Sequence, residues 1–307
     1  MYRETLPKKQ LAAWSVATSP VVIQFAADSQ WWSVAAVAVI ALLAVWLVWK
    51  WGYYGRWTAL PASVLLIIYV GQILQASAKV WPGNSYPAVP IALLVLALWS
   101  TWKGASAAAR VGCVLFWVVL LVYLMVFGAA LQDVRWEWVT PEKGNVDGNV
   151  LVLLLLPALS VILLKKESSS GKRVLLSGLF AVVCSILTTG ILSHTEENGL
   201  YQMVRSIDLL GVVKHFEALV YAAATVGWFA LLSWTLTICG GAGERTTGEG
   251  KTFVIAGAVG VAIWMLCEMH IDVEILAVLT AVFWVLVPIL TQGLDRIKKM
   301  KKTKIDP

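Results

Sequence analysis

The chain has 307 residues, of which 59% are hydrophobic and only 14% charged, with a mean hydropathy of +0.78. A soluble globular chain carries about 25% charged residues, so this composition excludes an ordinary soluble domain and points to a polytopic α-helical membrane protein. The net charge of +6 is no sign of nucleic-acid binding, because the basic residues sit in connectors between apolar runs.

A span needs roughly 20 apolar residues, and ten runs approach that length. The first is 11–27, LAAWSVATSPVVIQFAA, with Pro20 in its middle. It lacks a distinct small-residue cleavage site and is followed at once by the run 31–49, so no cleavable signal peptide is expected. Runs at 58–78, 87–102 and 111–130 follow. The sixth, 149–164, again carries a proline at its centre, Pro157, and the seventh is 174–193. The eighth, 209–239, would be about 46 Å long as one helix, against a hydrocarbon core of about 30 Å. Its first turns, with Lys214, His215 and Glu217, are therefore expected at or beyond the outer interface, with Asp208 as N-cap. The glycine-rich GGAGERTTGEGK after it has the wrong spacing for a phosphate loop and reads as a flexible inner connector. Runs 252–267 and 273–291 and a basic tail, 292–307, complete the chain, which reads as a single transmembrane domain over 1–307.

Lys and Arg set the orientation. With the N-terminus inside, 19 of the 24 fall on inner connectors or the tail, and Lys79, Arg135, Lys143, Arg205 and Lys214 fall outside. This alternation supports ten spans with both termini cytoplasmic. Trp31, Trp32, Trp81, Trp136 and Trp138 then lie at outer ends, and Trp46, Trp49, Trp51, Trp57, Trp99 and Trp102 at inner ends, as two interfacial belts. Ten spans divide into repeats 11–130 and 149–291, and the first run of each half enters from opposite sides. That is an inverted repeat, with Pro20 and Pro157 at matching places.

Catalytic patterns are missing: there is no HExxH, GxSxG or Walker sequence and no carboxylate pair deep in a span, so neither an enzyme nor a cofactor is expected. Glu268, His270, Asp272 and Glu274 alternate in the turn before the last run. A solvated turn is the plainer account of them and an outer divalent-cation site the sharper one. Cys113, Cys184, Cys239 and Cys267 have no CxxC spacing and read as small buried packing residues. Hydroxyls and amides are the polar groups of the spans. A proline removes a helical N–H and displaces its neighbour's hydrogen bond, so an interrupted span offers backbone groups to an ion or zwitterion. Thr18, Ser19 and Pro20, with Pro157 and Ser160, are therefore the candidate ligand-binding residues, joined by Tyr69 of the third run and Thr225 of the eighth. No acidic residue lies in the first, third or sixth run, which argues against a strongly proton-coupled pump.

The stretches KRVLLSGLFAVVCSILTTGIL and LYQMVRSIDLLGVVKHFEALVYAAATVGWFALLSWTLTICGG resemble the spore germination permease family. These are the B-type membrane subunits of germinant receptors, within the amino acid–polyamine–organocation transporter superfamily. Arg205, Ile207, Glu217, Ala218 and Trp228 carry the family's R-x-I…E-A stretch and the Trp-bearing span after it, and LPKKQLAAW, DSQWWSV and SAAARVGCVLFWVVLL agree. The resemblance implies a ten-helix LeuT-like fold of two inverted five-helix repeats, in the cell membrane or spore inner membrane. It implies partner A-type and C-type subunits, surrounding membrane lipid, and a small nutrient, an amino acid first, sensed between Pro20 and Pro157. Relative to that family, helices 1 and 6 are shortened, and Gly148 stands near where an acidic residue is common. An amino acid permease on the same fold and a ligand-free scaffolding subunit are the alternatives.

Overall fold

The computed structural model describes residues 10, 13–14, 17–78, 87–140, 148–162, 174–192, 199–206 and 216–293. Among the described residues the regular structure is entirely helical. The first run is helical at 10, 13, 14 and 17 and continues as α1, Ser19–Ala26. Then come α2 (Trp31–Trp51), α3 (Arg56–Ala78), α4 (Ala88–Trp102) and α5 (Ala105–Ala130). Lys103 and Gly104 alone separate α4 from α5, and Gly104 has φ +111°, a conformation that costs least in glycine. A 3-10 turn, Trp136–Trp138, precedes α6 (Gly148–Leu155), which tightens into a 3-10 helix over Leu156–Ile162. The remaining elements are α7 (Val174–Leu192), α8 (Gly199–Ser206), α9 (Phe216–Thr246), α10 (Gly250–Leu266) and α11 (Val273–Thr280), the last running on through a π-helical stretch, Ala281–Leu286.

Each of the ten apolar runs thus contains a helix. Five helices are long and apolar enough to cross a membrane: Trp31–Trp51, Trp57–Ser77, Ala105–Ala130, Ala218–Thr246 and Val273–Gly293. Ala88–Trp102, Gly148–Leu159, Ser177–Leu192 and Gly250–Leu266 are shorter and equally apolar in character. The chain is an α-helical membrane protein.

Burial separates centre from rim. The hydrophobic windows of α9 and α3 are 67% and 61% buried, against 28%, 33% and 22% for α2, α5 and the last span. Accordingly α9 packs on α1, α3, α4, α5, α8 and α10. Around this axis α1 packs on α6 and α7, α2 on α6 and α7, and α3 on α10 and α11. The rim carries Val39, Ile40, Val95, Val114, Leu121 and Val278 at more than half exposure, a surface suited to hydrocarbon. Cations lie over indoles at several helix ends: Lys50 over Trp46 and Trp51, Lys103 over Trp99, Lys251 over Trp102 and Arg135 over Trp138.

Three local expectations change. Gly240–Thr246 is no flexible connector; it is the last two turns of α9, leaving only 247–249 before α10. Its glycines serve close packing, since a Cβ on Gly243 would come within 2.6 Å of the Phe253 side chain on α10. Cys184 and Cys239 are buried as expected, but Cys113 is half-buried and Cys267 exposed, because Cys267 already lies in the turn after α10. Trp49, expected to face the interface, gives its N–H to another helical segment, as described below. Asp208, Lys214, His215 and the side chain of Glu217 lie outside the described residues.

A hydrogen-bonded latch closes the end of the bundle where α2 and α9 finish. Pro288 has no N–H for the carbonyl of Trp284, four residues earlier. That carbonyl instead accepts a 2.6 Å bond from the fully buried Tyr54 hydroxyl. The Tyr54 carbonyl accepts from Arg245 Nη1 of α9 (2.7 Å), and Tyr53 N donates to the Pro288 carbonyl (3.1 Å). The Trp284 indole N–H donates to Ala62 O on α3 (3.2 Å). Tyr54→Phe strands a buried carbonyl and should lower stability by about 1–3 kcal/mol, read as a fall in the thermal midpoint of the purified protein; an unchanged midpoint would show that the latch contributes nothing.

Candidate functional site

The two proline-interrupted segments meet: α1 packs on α6. Before Pro20 the chain is anchored by Trp14, a residue the sequence did not single out as a site feature. Its indole N–H donates to Ala230 O of α9 (3.1 Å), and its ring stands edge-on to Trp234, centroids 5.1 Å apart. Gly112 on α5 makes room for it, since a Cβ there would lie 2.8 Å from the Trp14 ring. Thr18 is the turn residue between the two helical parts, with its N–H on Trp14 O (3.3 Å) and its carbonyl accepting from Val21 N (3.1 Å). Pro20 stands in the first turn of α1, where a missing N–H costs least.

Ser19 and Pro20 are buried, and a Cβ on Gly227 of α9 would sit 2.7 Å from Pro20 Cβ. Glycine at 227 therefore sets how closely α1 lies on α9. The Ser19 hydroxyl is fully buried and has no hydrogen-bond partner, and the Gln24 carbonyl oxygen further along α1 is in the same state. A buried polar atom in that condition costs about 1–3 kcal/mol.

On the other side, Pro157 denies its N–H to Leu153 O, and the backbone tightens from α to 3-10 geometry around it. The Pro157 carbonyl accepts from Trp49 Nε1 of α2 (3.1 Å). Tyr69 on α3 donates its hydroxyl to Asn149 O at the start of α6 (3.1 Å). So Tyr69 and Pro157 are brought to one segment, and Ser19 and Pro20 to the facing helix, with α9 touching both α1 and the 3-10 segment. Thr225 is half-buried, and its hydroxyl bonds back to Tyr221 O on its own helix (2.8 Å). The side chain of Ser160 lies outside the described residues.

A second polar cluster lies where α1 ends, beside α7 and α8. Asp28 Oδ1 accepts from Gly199 N at the start of α8 (2.8 Å), and Ser185 of α7 donates to the Ser29 carbonyl. Tyr201 of α8 stacks on Tyr221 of α9 at 4.4 Å, and burial, then the Tyr221 phenol and the Asp28 carboxylate, raise its phenol well above the ordinary range. The DSQWW entry to α2 is thus a tie between α1, α7 and α8. Of the residues that carried the family resemblance, Arg205 is exposed on α8 and Trp228 is fully buried.

In the turn before α11, Gln72 of α3 clamps Ile271 through both its amide atoms, donating at 2.6 Å and accepting at 3.0 Å. Asp272 caps α11 by accepting from Glu274 N (3.0 Å), and Glu268, His270, Asp272 and Glu274 are all exposed. Among the described residues no three His, Cys, Asp or Glu side chains come together as a metal site would require.

Ser19→Ala removes a hydroxyl that has no partner and should leave the thermal midpoint unchanged or slightly higher, whereas Gly227→Val should cost about 1–3 kcal/mol by forcing α1 off α9. Melting curves of the two purified variants check both, and equal destabilisation would refute this packing. No family model matches the chain, and no curated protein matches it.

Proposed function

We propose that this chain is a transporter-like membrane protein of ten spans in two inverted five-helix repeats, and that it serves as the membrane subunit of a nutrient germinant receptor. On this reading a small polar nutrient, an amino acid first, binds between α1 and α6 and shifts the protein between two conformations read by A-type and C-type partner subunits. The observation that carries the site is the contact of two proline-interrupted helices with the unpartnered Ser19 hydroxyl buried on one of them.

The repeat is supported by several helix contacts that survive exchange of the halves. Matching α1–α5 with α6, α7, α9, α10 and α11 turns the α1–α7 contact into α6–α2, the α4–α9 contact into α10–α3, and the α5–α9 contact into α11–α3. The pairs that map onto themselves, α1–α6, α2–α7, α3–α9 and α4–α10, are likewise in contact. The germination role itself rests on the sequence resemblance. The scaffolding reading keeps one observation of its own, the close seating of Pro20 on Gly227, which fills space beside α1.

Deleting the gene should abolish germination on nutrients and leave amino acid uptake intact; loss of uptake with normal germination would make the chain a permease. The purified protein should melt later with one or more free amino acids, and Ser19→Ala should remove that shift. A wild-type protein indifferent to every nutrient, still copurifying with its partners, would favour the scaffold. Orientation is testable through Cys267: a membrane-impermeant maleimide applied to intact cells should label it and leave the buried Cys184 and Cys239 untouched. Labelling that requires permeabilised cells would invert the topology.

A further inference from the structure

Lys103 and Lys251 lie far apart in sequence, on α4's C-terminal flank and α10's first turn. The fold brings them to one place, because α4 packs on α10 and the Lys251 ammonium sits 5.0 Å from the Trp102 ring of α4. Lys103 sits 5.1 Å from the ring of Trp99. Both lysines are exposed, and so are both indoles, at 64% for Trp99 and 41% for Trp102.

Each lysine also ends an exposed apolar row of its own helix. Residues four apart share a helix face. On α4 the row is Ile91, Val95 and Trp99, and its next member is Lys103; the three apolar residues are 37%, 58% and 64% exposed. On α10 the row begins at Lys251 and continues through Ile255, Val259 and Ile263, at 43%, 50% and 52%. Two apolar stripes on touching helices therefore run away from the end of the helix pair at which both ammonium groups lie. Exposed apolar rows, each ending in a cation, match the two ends of a phospholipid, acyl chains along the rows and phosphate at the lysines. Glu249 stands two residues before Lys251, with its carboxylate engaged by the Thr252 hydroxyl at 3.3 Å.

We propose that Lys103 and Lys251, held over Trp99 and Trp102, form a headgroup site for an anionic phospholipid whose chains lie along the exposed rows of α4 and α10. The site depends only on the chain's residence in a bilayer, so it stands or falls separately from the nutrient reading.

The test uses the full-length protein in nanodiscs of phosphatidylcholine alone or mixed with phosphatidylglycerol, with retained lipid counted by native mass spectrometry. Wild type should retain phosphatidylglycerol over phosphatidylcholine. Lys103→Gln with Lys251→Gln should weaken that retention about tenfold or more, while Lys103→Arg with Lys251→Arg should keep it. Melting in pure phosphatidylcholine should be the same for all three. Equal retention of both lipids by wild type would overturn the proposal, as would undiminished retention in the glutamine variant. Displacement of the lipid by inorganic phosphate at equal concentration would overturn it too, because the site would then recognise free phosphate.

Discussion

Pro288 cannot give a backbone N–H to Trp284, and Trp284 is fully buried, so no water is at hand to replace it. The structure answers with Tyr54, whose buried hydroxyl takes the stranded carbonyl while its own carbonyl holds Arg245 of α9. At Pro157 the N–H missing for Leu153 O is met by tightening to 3-10 geometry, and Trp49 of α2 donates separately to the proline's own carbonyl. At Pro20, Thr18 turns the chain and the helix restarts with proline in its first turn. Cross-bundle bonds thus gather around the proline positions, and at Pro288 one of them satisfies the freed carbonyl itself.

Close approach is the second requirement, since apolar side chains gain little by leaving lipid for one another. Glycine supplies it at the central helix. Gly227 admits Pro20 and Gly243 admits Phe253, and these two positions bring α1 and α10 onto α9. Gly243 also explains why a glycine-rich stretch that looks like a flexible linker is helical: its lack of a side chain is used for packing. The cost of helical glycine, about 1 kcal/mol relative to alanine, is offset by that packing and by the Thr246 and Thr247 hydroxyls bonded back to the helix end.

Outside this core the molecule is organised by the bilayer. Exposed aliphatic rows occupy the middle of the rim, and cation–indole pairs sit at helix ends. An indole presents an apolar body and a polar edge, and an ammonium over its face keeps its charge near water. Several tryptophans near helix ends thus have specific cation partners, one of which, Lys251 on Trp102, joins two helices.

How much of this was legible in the sequence follows from what is local. The ten apolar runs and the interruptions at Pro20 and Pro157 depend on residues within a few positions of each other; each run contains a helix, and both interruptions are found. An amide in a span must find a partner, but that Gln72 would find Ile271 was decided by the packing. Trp14 on Ala230, Trp49 on Pro157, Tyr54 on Trp284 and Asp28 on Gly199 join residues more than a hundred positions apart. Hydropathy cannot see them, since an inward tryptophan and a belt tryptophan read alike. Thr225 was singled out for chemistry, yet its hydroxyl is engaged with the helix that carries it. By itself the sequence determined that this chain is a helical membrane protein with two proline-broken segments, because apolarity and a missing N–H act locally. The tertiary structure alone decided which groups pack and bond beside those breaks and which cation joins two helices, because those partners meet only when distant helices pack.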